Sequence, residues 1–366
     1  MSPPRIIFRV DASLSIGTGH VMRCLTLADA LHASGAQCHF VCREQPGHLL
    51  DLIRQRGHIA TALSQPQTDT RAQESNTTSH AHWLGASWKA DAEETRKAIG
   101  TEPADWLVVD HYALESSWER TLRPACLRLM VIDDLADRLH DCDLLLDQNL
   151  GRTADDYQGL LPPNATTLIG PHYALLRPEF AQWRTESLAR RAKPELLRIL
   201  VTLGGVDKDN TTGRVLEALN AAHLPPQLHI TVVVGLHAPW LQHVEAQAAL
   251  MNCPTEILGC VNNMAQLMAE SDLAIGAAGG TSWERCCLGL PTVQLVLAAN
   301  QAEIAKALNL AEATWHTDLE SITAVLHRIF NDPMSREKLQ TRSQAARVIA
   351  DGLGSQRVIN RLLKDV

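Results

Sequence analysis

The chain has 366 residues, 45% of them hydrophobic and 20% charged, with a formal net charge of −8. That length exceeds what one core usually supports and suits two domains, and the apolar fraction is that of a globular protein rather than a disordered or fibrous one. The acidic balance argues against a nucleic-acid partner or attachment to an anionic membrane, while leaving room for a local basic pocket for phosphate.

The N-terminal MSPPRIIFRVDA carries Arg5 and Arg9 among few apolar residues. It reads as neither a signal peptide nor a spanning helix, so a cytoplasmic location without membrane insertion is expected. Short β-branched runs ending in Gly or Asp alternate with amphipathic stretches, the pattern of parallel strands joined by crossover helices. The strand candidates are RIIFRV, CHFVCR, WLVVD, RLMVIDD and DLLLDQN, then LRILVTLGG, HITVVVG, DLAIGAAG and PTVQLV. The fold class expected is α/β, with two Rossmann-like doubly wound domains over 1–188 and 195–366 facing across a cleft. The final helix could pack back on the first domain. The charged, proline-bounded stretch 177–194 suits a surface helix and linker. The polar stretch 64–82 reads as a loop or mobile insertion. Nine cysteines are scattered with no CxxC pair, which favours buried thiols in a reducing compartment over disulfides or a zinc ribbon.

Four segments could carry chemistry. Gly17-Thr18-Gly19-His20 forms a glycine-rich turn between a strand and a helix whose apolar positions Val21, Cys24, Leu25, Leu27, Ala28 and Leu31 keep helical spacing. Glycines admit a ligand close to the backbone, and a helix N-terminus favours an anion and disfavours a charged histidine. Met22 takes the place of the third glycine of a dinucleotide fingerprint, so nicotinamide binding is disfavoured. Asp110-His111-Tyr112 ends a strand where open α/β sheets bind ligands, and Asp133-Asp134 ends the next. Their spacing matches no recognised metal motif, and strand-end aspartates often cap the following helix, so no metal is expected. In LAIGAAGGTSWERCCLGLP, the Gly279-Gly280 turn precedes Thr281 and Ser282 as N-cap candidates, with Glu284 in the first helical turn. Such a turn offers N–H groups and hydroxyls to a diphosphate, and Glu284 could accept from two ribose hydroxyls. Asn300-Gln301 follows the next strand and adds two amides on the same edge, and 203–205 is a second strand-end glycine turn.

Together, RVDASLSIGTGHVMRCLTLADAL, VVDHYALESSWE, VIDDLADRLHDCDLLLDQN, GPHYALLRPEF, TLGGVDKDN, GAAGGTSWERCCLGLP and AANQ resemble the UDP-sugar hydrolases of bacterial pseudaminic acid biosynthesis. The likeness runs from near Arg9 to about Gln301. It implies the glycosyltransferase family B fold, similar to the peptidoglycan UDP-GlcNAc transferase. It also implies hydrolysis of UDP-2,4-diacetamido-2,4,6-trideoxy-β-L-altropyranose to UDP and the free sugar, with inversion and without a cofactor. The family's catalytic histidine matches His20, and Tyr112 and Asn300 would contact the sugar or orient water. Gly280, Thr281, Ser282 and Glu284 would hold UDP. Asp11, Gly17, Gly19 and Gln301 complete the expected substrate-binding set. The 64–82 insertion and the tail beyond about residue 303 depart from the family's pattern.

On this reading His20 is the general base and dipoles at Gly280, Thr281 and Ser282 stabilise the departing UDP. The partner is the UDP-sugar, with no obligate protein partner. Two alternatives are a UDP-sugar-dependent glycosyltransferase, which would need an acceptor site, and a UDP-sugar sensor, which would have no use for a histidine at a helix start.

Overall fold

The computed structural model describes residues 2–65, 80–222, 224–235, 238–259 and 261–364. Most of the expected 64–82 insertion, residues 66–79, lies outside the described residues. The chain forms two compact units, Met1–Leu175 together with Gly354–Val366, and Leu176–Leu353.

In the first unit the elements run β1 (Arg5–Val10), α1 (Gly19–Ala33), β2 (Gln37–Arg43), α2 (Leu50–Gln55), β3 (Ile59–Leu63), α3 (Trp88–Ile99), β4 (Ala104–Asp110), α4 (Ser116–Leu122), β5 (Cys126–Ile132), β6 (Leu144–Asp147) and β7 (Thr166–Ile169). All pair in parallel, in the order β3-β2-β1-β4-β5-β6-β7. A parallel sheet covered on both faces needs apolar residues on both sides of each central strand. β1 meets this need, with Ile6, Phe8 and Val10 in one core and Ile7 in the other. The α1 residues Val21, Cys24, Leu25, Leu27, Ala28 and Leu31 are all buried, as their spacing predicts.

The second unit runs α5 (Pro178–Arg191), β8 (Arg198–Thr202), α6 (Thr211–Ala221), β9 (His229–Val234), α7 (Leu241–Ala248), β10 (Thr255–Gly259), α8 (Met264–Glu270), β11 (Leu273–Ala277), α9 (Thr281–Cys287), β12 (Thr292–Leu295), α10 (Ala302–Leu310), β13 (Thr314–Thr317), α11 (Ile322–Asn331) and α12 (Ser335–Arg347). Its parallel sheet has the order β10-β9-β8-β11-β12-β13 around a core that includes Val201, Ile230, Ile275 and Val293. The last helix, α13 (Gly354–Leu363), belongs to the first unit. It inserts Val358, Ile359 and Leu362 beside α1, and the Trp106 indole N–H donates to the Leu362 carbonyl at 3.1 Å.

The stretch expected as a linker is instead part of the second unit. Phe180, Ser187 and Arg191 of α5 are buried. The Ser187 hydroxyl donates to the Leu288 carbonyl at 2.7 Å, and Arg191 donates to the carbonyls of Met268, Ala269 and Ser271 at the end of α8. Those carbonyls have no partner within the helix, so the arginine caps it.

Each sheet reverses its winding once, between β1 and β4 in the first unit and between β8 and β11 in the second. Loops leaving the carboxyl ends of strands diverge at such points and leave room for a ligand. His20 and Asp110 flank the first reversal, and Gly204 and Gly279 flank the second.

Candidate active site

His20 lies in the first turn of α1, and its Nδ1 is 2.6 Å from Asp110 Oδ1 at the end of β4. An ionised carboxylate can only accept, so Nδ1 carries a hydrogen, and in the neutral ring it is Nε2 that keeps the lone pair. Arg23, three residues further along the same helix, donates to Asp110 Oδ2 at 2.7 Å and Oδ1 at 2.7 Å, and to Asp134 at 2.9 Å. Burial alone would raise the Asp110 carboxyl, but Arg23 and His20 outweigh it and hold it well below the usual carboxylate range. Asp110 therefore orients His20 and pairs with Arg23 rather than capping a helix. The Tyr112 ring meets the imidazole edge-on at 4.7 Å and is stacked against Trp83 at 5.5 Å. Burial and the neighbouring Asp134 keep the Tyr112 phenol protonated.

Gly17 has φ of 81°, a conformation that favours glycine, and its N–H closes a turn onto the Ser13 carbonyl at 2.8 Å. Among the described residues, neighbouring backbone aside, nothing comes within 4 Å of where a Cβ would stand on Gly17 or Gly19, and no side chain caps α1. Among the described residues, no side chain takes up the N–H groups of its first turn, which can therefore meet an anion.

Asp11 departs from its expected role. It is fully buried, with Oδ1 accepting from Arg9 at 2.6 Å and from the Arg43 N–H at 2.7 Å, and Oδ2 accepting from Arg9 at 3.0 Å. His111 Nδ1 accepts from the Ala113 N–H, so its Nε2–H faces Asp11 Oδ2, 3.3 Å away. Burial lowers the His111 pKa and favours the neutral ring. Buried and held by Arg9 and the Arg43 N–H, Asp11 fixes the end of β1 and is turned into the core rather than toward a ligand. Arg9 and Arg43 also grip Asp91 on α3, at 2.6 and 2.7 Å, so this side of the sheet edge is a closed ionic core.

The loop carrying Asp134 is held from the next strand end. Asn149 donates to the Asp134 carbonyl at 3.1 Å and Arg152 to the Leu135 carbonyl at 2.9 Å. Beneath them the Tyr157 hydroxyl lies 3.1 Å from Asp133 and 2.9 Å from Asp147. Burial, with the like charges of Asp134 and Asp133, pushes Asp147 up to about 7. Among the described residues no group of His, Cys, Asp and Glu is arranged to hold a metal ion.

In the second unit Gly280 and Thr281 are exposed at the start of α9. Thr281 and Ser282 do not act as N-caps, because both hydroxyls accept from Arg285, each at 3.1 Å. Ser282 is buried and also accepts from Gln294 at 3.0 Å, so it supports the loop from below instead of facing a ligand. Glu284 is half-buried, and burial pushes it up to about 7 against the pull of Arg177 and Arg285. Asn300 is exposed on a short 3-10 turn, and Gln301 Oε1 accepts from the Leu297 N–H at 2.9 Å. The Gln301 amide nitrogen stands 3.8 Å from where a Gly279 Cβ would be, which brings these two loops together. The second glycine turn is also in place, with Gly204 at φ 106°.

Reading the sequence for motifs missed Arg23, Trp83 and Arg285. Arg23 alone had a usable signal, its position three residues after His20 on one helical face.

No family model matches the chain. It is 26% identical to the UDP-2,4-diacetamido-2,4,6-trideoxy-β-L-altropyranose hydrolase of Campylobacter jejuni, over 85% of this chain and 95% of that protein. It is 25% identical to an uncharacterized protein of Methanocaldococcus jannaschii over 80% of its own length, spanning about half (55%) of that relative. Among solved structures, Acinetobacter baumannii MurG superposes with a TM-score of 0.68 at 17% identity, covering 99% of this chain and 100% of the other. The chain has the glycosyltransferase B fold. Its two Rossmann-like units account for the paired sheet reversals, each with ligand-accessible loops at the strand ends.

Proposed function

We propose that this glycosyltransferase B chain is a UDP-sugar hydrolase acting at the anomeric carbon, with UDP-2,4-diacetamido-2,4,6-trideoxy-β-L-altropyranose as substrate. The observation that carries the proposal is the His20–Asp110 pair, a buried carboxylate holding a histidine in the tautomer that leaves Nε2 free as a base. The named likeness to the Campylobacter hydrolase supports the choice of substrate.

In the proposed reaction a water oxygen attacks C1 of the sugar while His20 Nε2 takes its proton. The bond from C1 to the β-phosphate oxygen breaks, its electron pair leaves with UDP, and the anomeric centre inverts. The imidazolium formed is stabilised by Asp110. Tyr112 packs against the imidazole and, with Asn300, contacts the sugar or orients the water. Gly280 and Thr281 receive the diphosphate, Gln301 contacts the substrate, and Glu284 accepts from the ribose hydroxyls. A glycosyltransferase of this fold is the second reading, supported by the likeness to MurG.

Reaction of the UDP-sugar alone in oxygen-18 water tests both. Hydrolysis at carbon puts the label in the free sugar and none in UDP, with inverted configuration in the first product anomer. Label in the UDP phosphate would overturn the mechanism. No turnover until an acceptor is added would favour the transferase.

A further inference from the structure

Arg285 is the third residue after Ser282 on α9 and is only 2% exposed. Its guanidinium donates to the Ala277 carbonyl at 2.7 Å, to Ser282 Oγ at 3.1 Å and to Thr281 Oγ1 at 3.1 Å. Every one of these acceptors is a neutral oxygen of the loop that ends β11 and starts α9. Among the described residues Arg285 has no carboxylate within ion-pair distance, Glu284 acting on it through space without a hydrogen bond, and its Nε has no hydrogen-bond partner. β11 makes room for it, since a Cβ on Gly276 would stand 2.5 Å from Arg285 Nη1.

A buried cation whose hydrogen bonds all go to neutral oxygens is poorly compensated for the water it has lost. Burial lowers the Arg285 pKa to about 10, still far enough above neutrality to leave the group charged. The loop therefore encloses a fixed positive charge in a region of weak screening, where it acts more strongly than at the surface. The hydroxyl geometry points the same way. A hydroxyl oxygen that accepts from an arginine retains its own hydrogen to donate. Ser282 is buried between Arg285 and Gln294, but Thr281 is exposed, so the Thr281 O–H is free to donate outward.

We infer that Arg285 is a positioning residue whose missing counter-ion is the diphosphate of the nucleotide, which it attracts through the loop and through the Thr281 hydroxyl without touching it. The inference deepens the UDP-sugar reading and rests on it. It adds to the loop's dipoles a full charge held beneath them.

The test is calorimetric titration of UDP and of uridine into wild-type protein, R285M, R285K and G276A, with the melting temperature of each unliganded protein. R285M should bind UDP about 10- to 100-fold more weakly, the scale of a lost charge-assisted contact, and bind uridine as wild type does. Its unliganded melting temperature should not fall, because an uncompensated buried charge has gone. R285K, which keeps the charge without the fork, should retain part of the UDP affinity. G276A should weaken UDP by displacing the guanidinium, and these two variants decide the matter if R285M does not fold. Equal losses for uridine and UDP, or UDP affinity unchanged across the variants, would overturn the role of Arg285 while leaving the UDP reading standing. Wild-type protein that binds neither UDP nor uridine would remove that reading and this inference with it.

Discussion

His20 depends on its neighbours for its chemistry. Its Nδ1 is committed to Asp110, and Asp110 is balanced by Arg23, so the free lone pair on Nε2 follows from three residues rather than one. His20→Asn should lower turnover by on the order of a hundred- to ten-thousandfold and leave UDP binding unchanged, by initial rates and calorimetry. Near-wild-type turnover would remove the base. Asp110→Asn should also lower kcat, since an amide can donate to Nδ1 and favour the wrong tautomer. It should reduce stability as well, because Arg23 loses its ion partner on that side. Glu284 allows a pH test with the sign fixed in advance. Its folded-state pKa, raised to about 7, means that the unliganded carboxyl is protonated below that value and ionised above it. Because the ionised form accepts better from ribose hydroxyls, uridine affinity should rise with pH up to about 7 and then level off, with roughly a tenfold deficit one unit below. Glu284→Gln should make the profile flat. A flat wild-type profile would assign Glu284 to helix capping. The same shift makes Glu284 unfavourable to stability as pH rises from about 4.5 to about 7, and the Gln variant should lose that decline.

Among the elements, α13 belongs to the first unit by packing although it is last in sequence. Leu362 is fully buried against the α1 side of the sheet, so Leu362→Ala should destabilise that unit by about 2–5 kcal/mol, seen as an earlier urea transition and faster amide exchange in α1. Exchange in α6 and β8 unchanged alongside it would localise the effect to the unit. The strands missing from the sequence reading are β3, β7, β10 and β13, and they are the four sheet edges. An edge strand is paired on one side only and tolerates polar residues, so IATAL, TTLI, TEILG and TWHT lack the continuous apolar run that marked the interior strands. Helix α5 was legible as a helix but not as part of the second unit. Its charge is real, yet Arg184 and Arg191 spend it on backbone carbonyls, a use that composition does not distinguish from solvation.

At the scale of the whole molecule, each unit has its own core and its own sheet reversal, and the proposed roles divide between them. Adding UDP should therefore slow amide exchange chiefly in the second unit, at 276–284 and 299–301, with His20 and its helix little affected. Protection confined to the first unit would contradict the assignment of the nucleotide site. The sequence by itself determined the α/β class, the interior strands, the buried face of α1 and the places where loops leave the sheets, because these depend on periodicity and on glycines needed locally. It also placed His20, Gly280, Thr281 and Glu284 at the starts of helices that follow strands. Only the tertiary structure decided which polar groups remain available. Asp11 and Ser282 are candidates in the same motifs, but buried partners elsewhere in the sequence, Arg9 and Arg43 for one and Arg285 and Gln294 for the other, hold them away from a ligand. Asp110 gained a role for the same reason, since its pairing with a histidine 90 residues earlier exists only once β1 and β4 lie side by side. A motif records which atoms are present, whereas burial and long-range pairing determine which of them still have a lone pair or a hydrogen to offer.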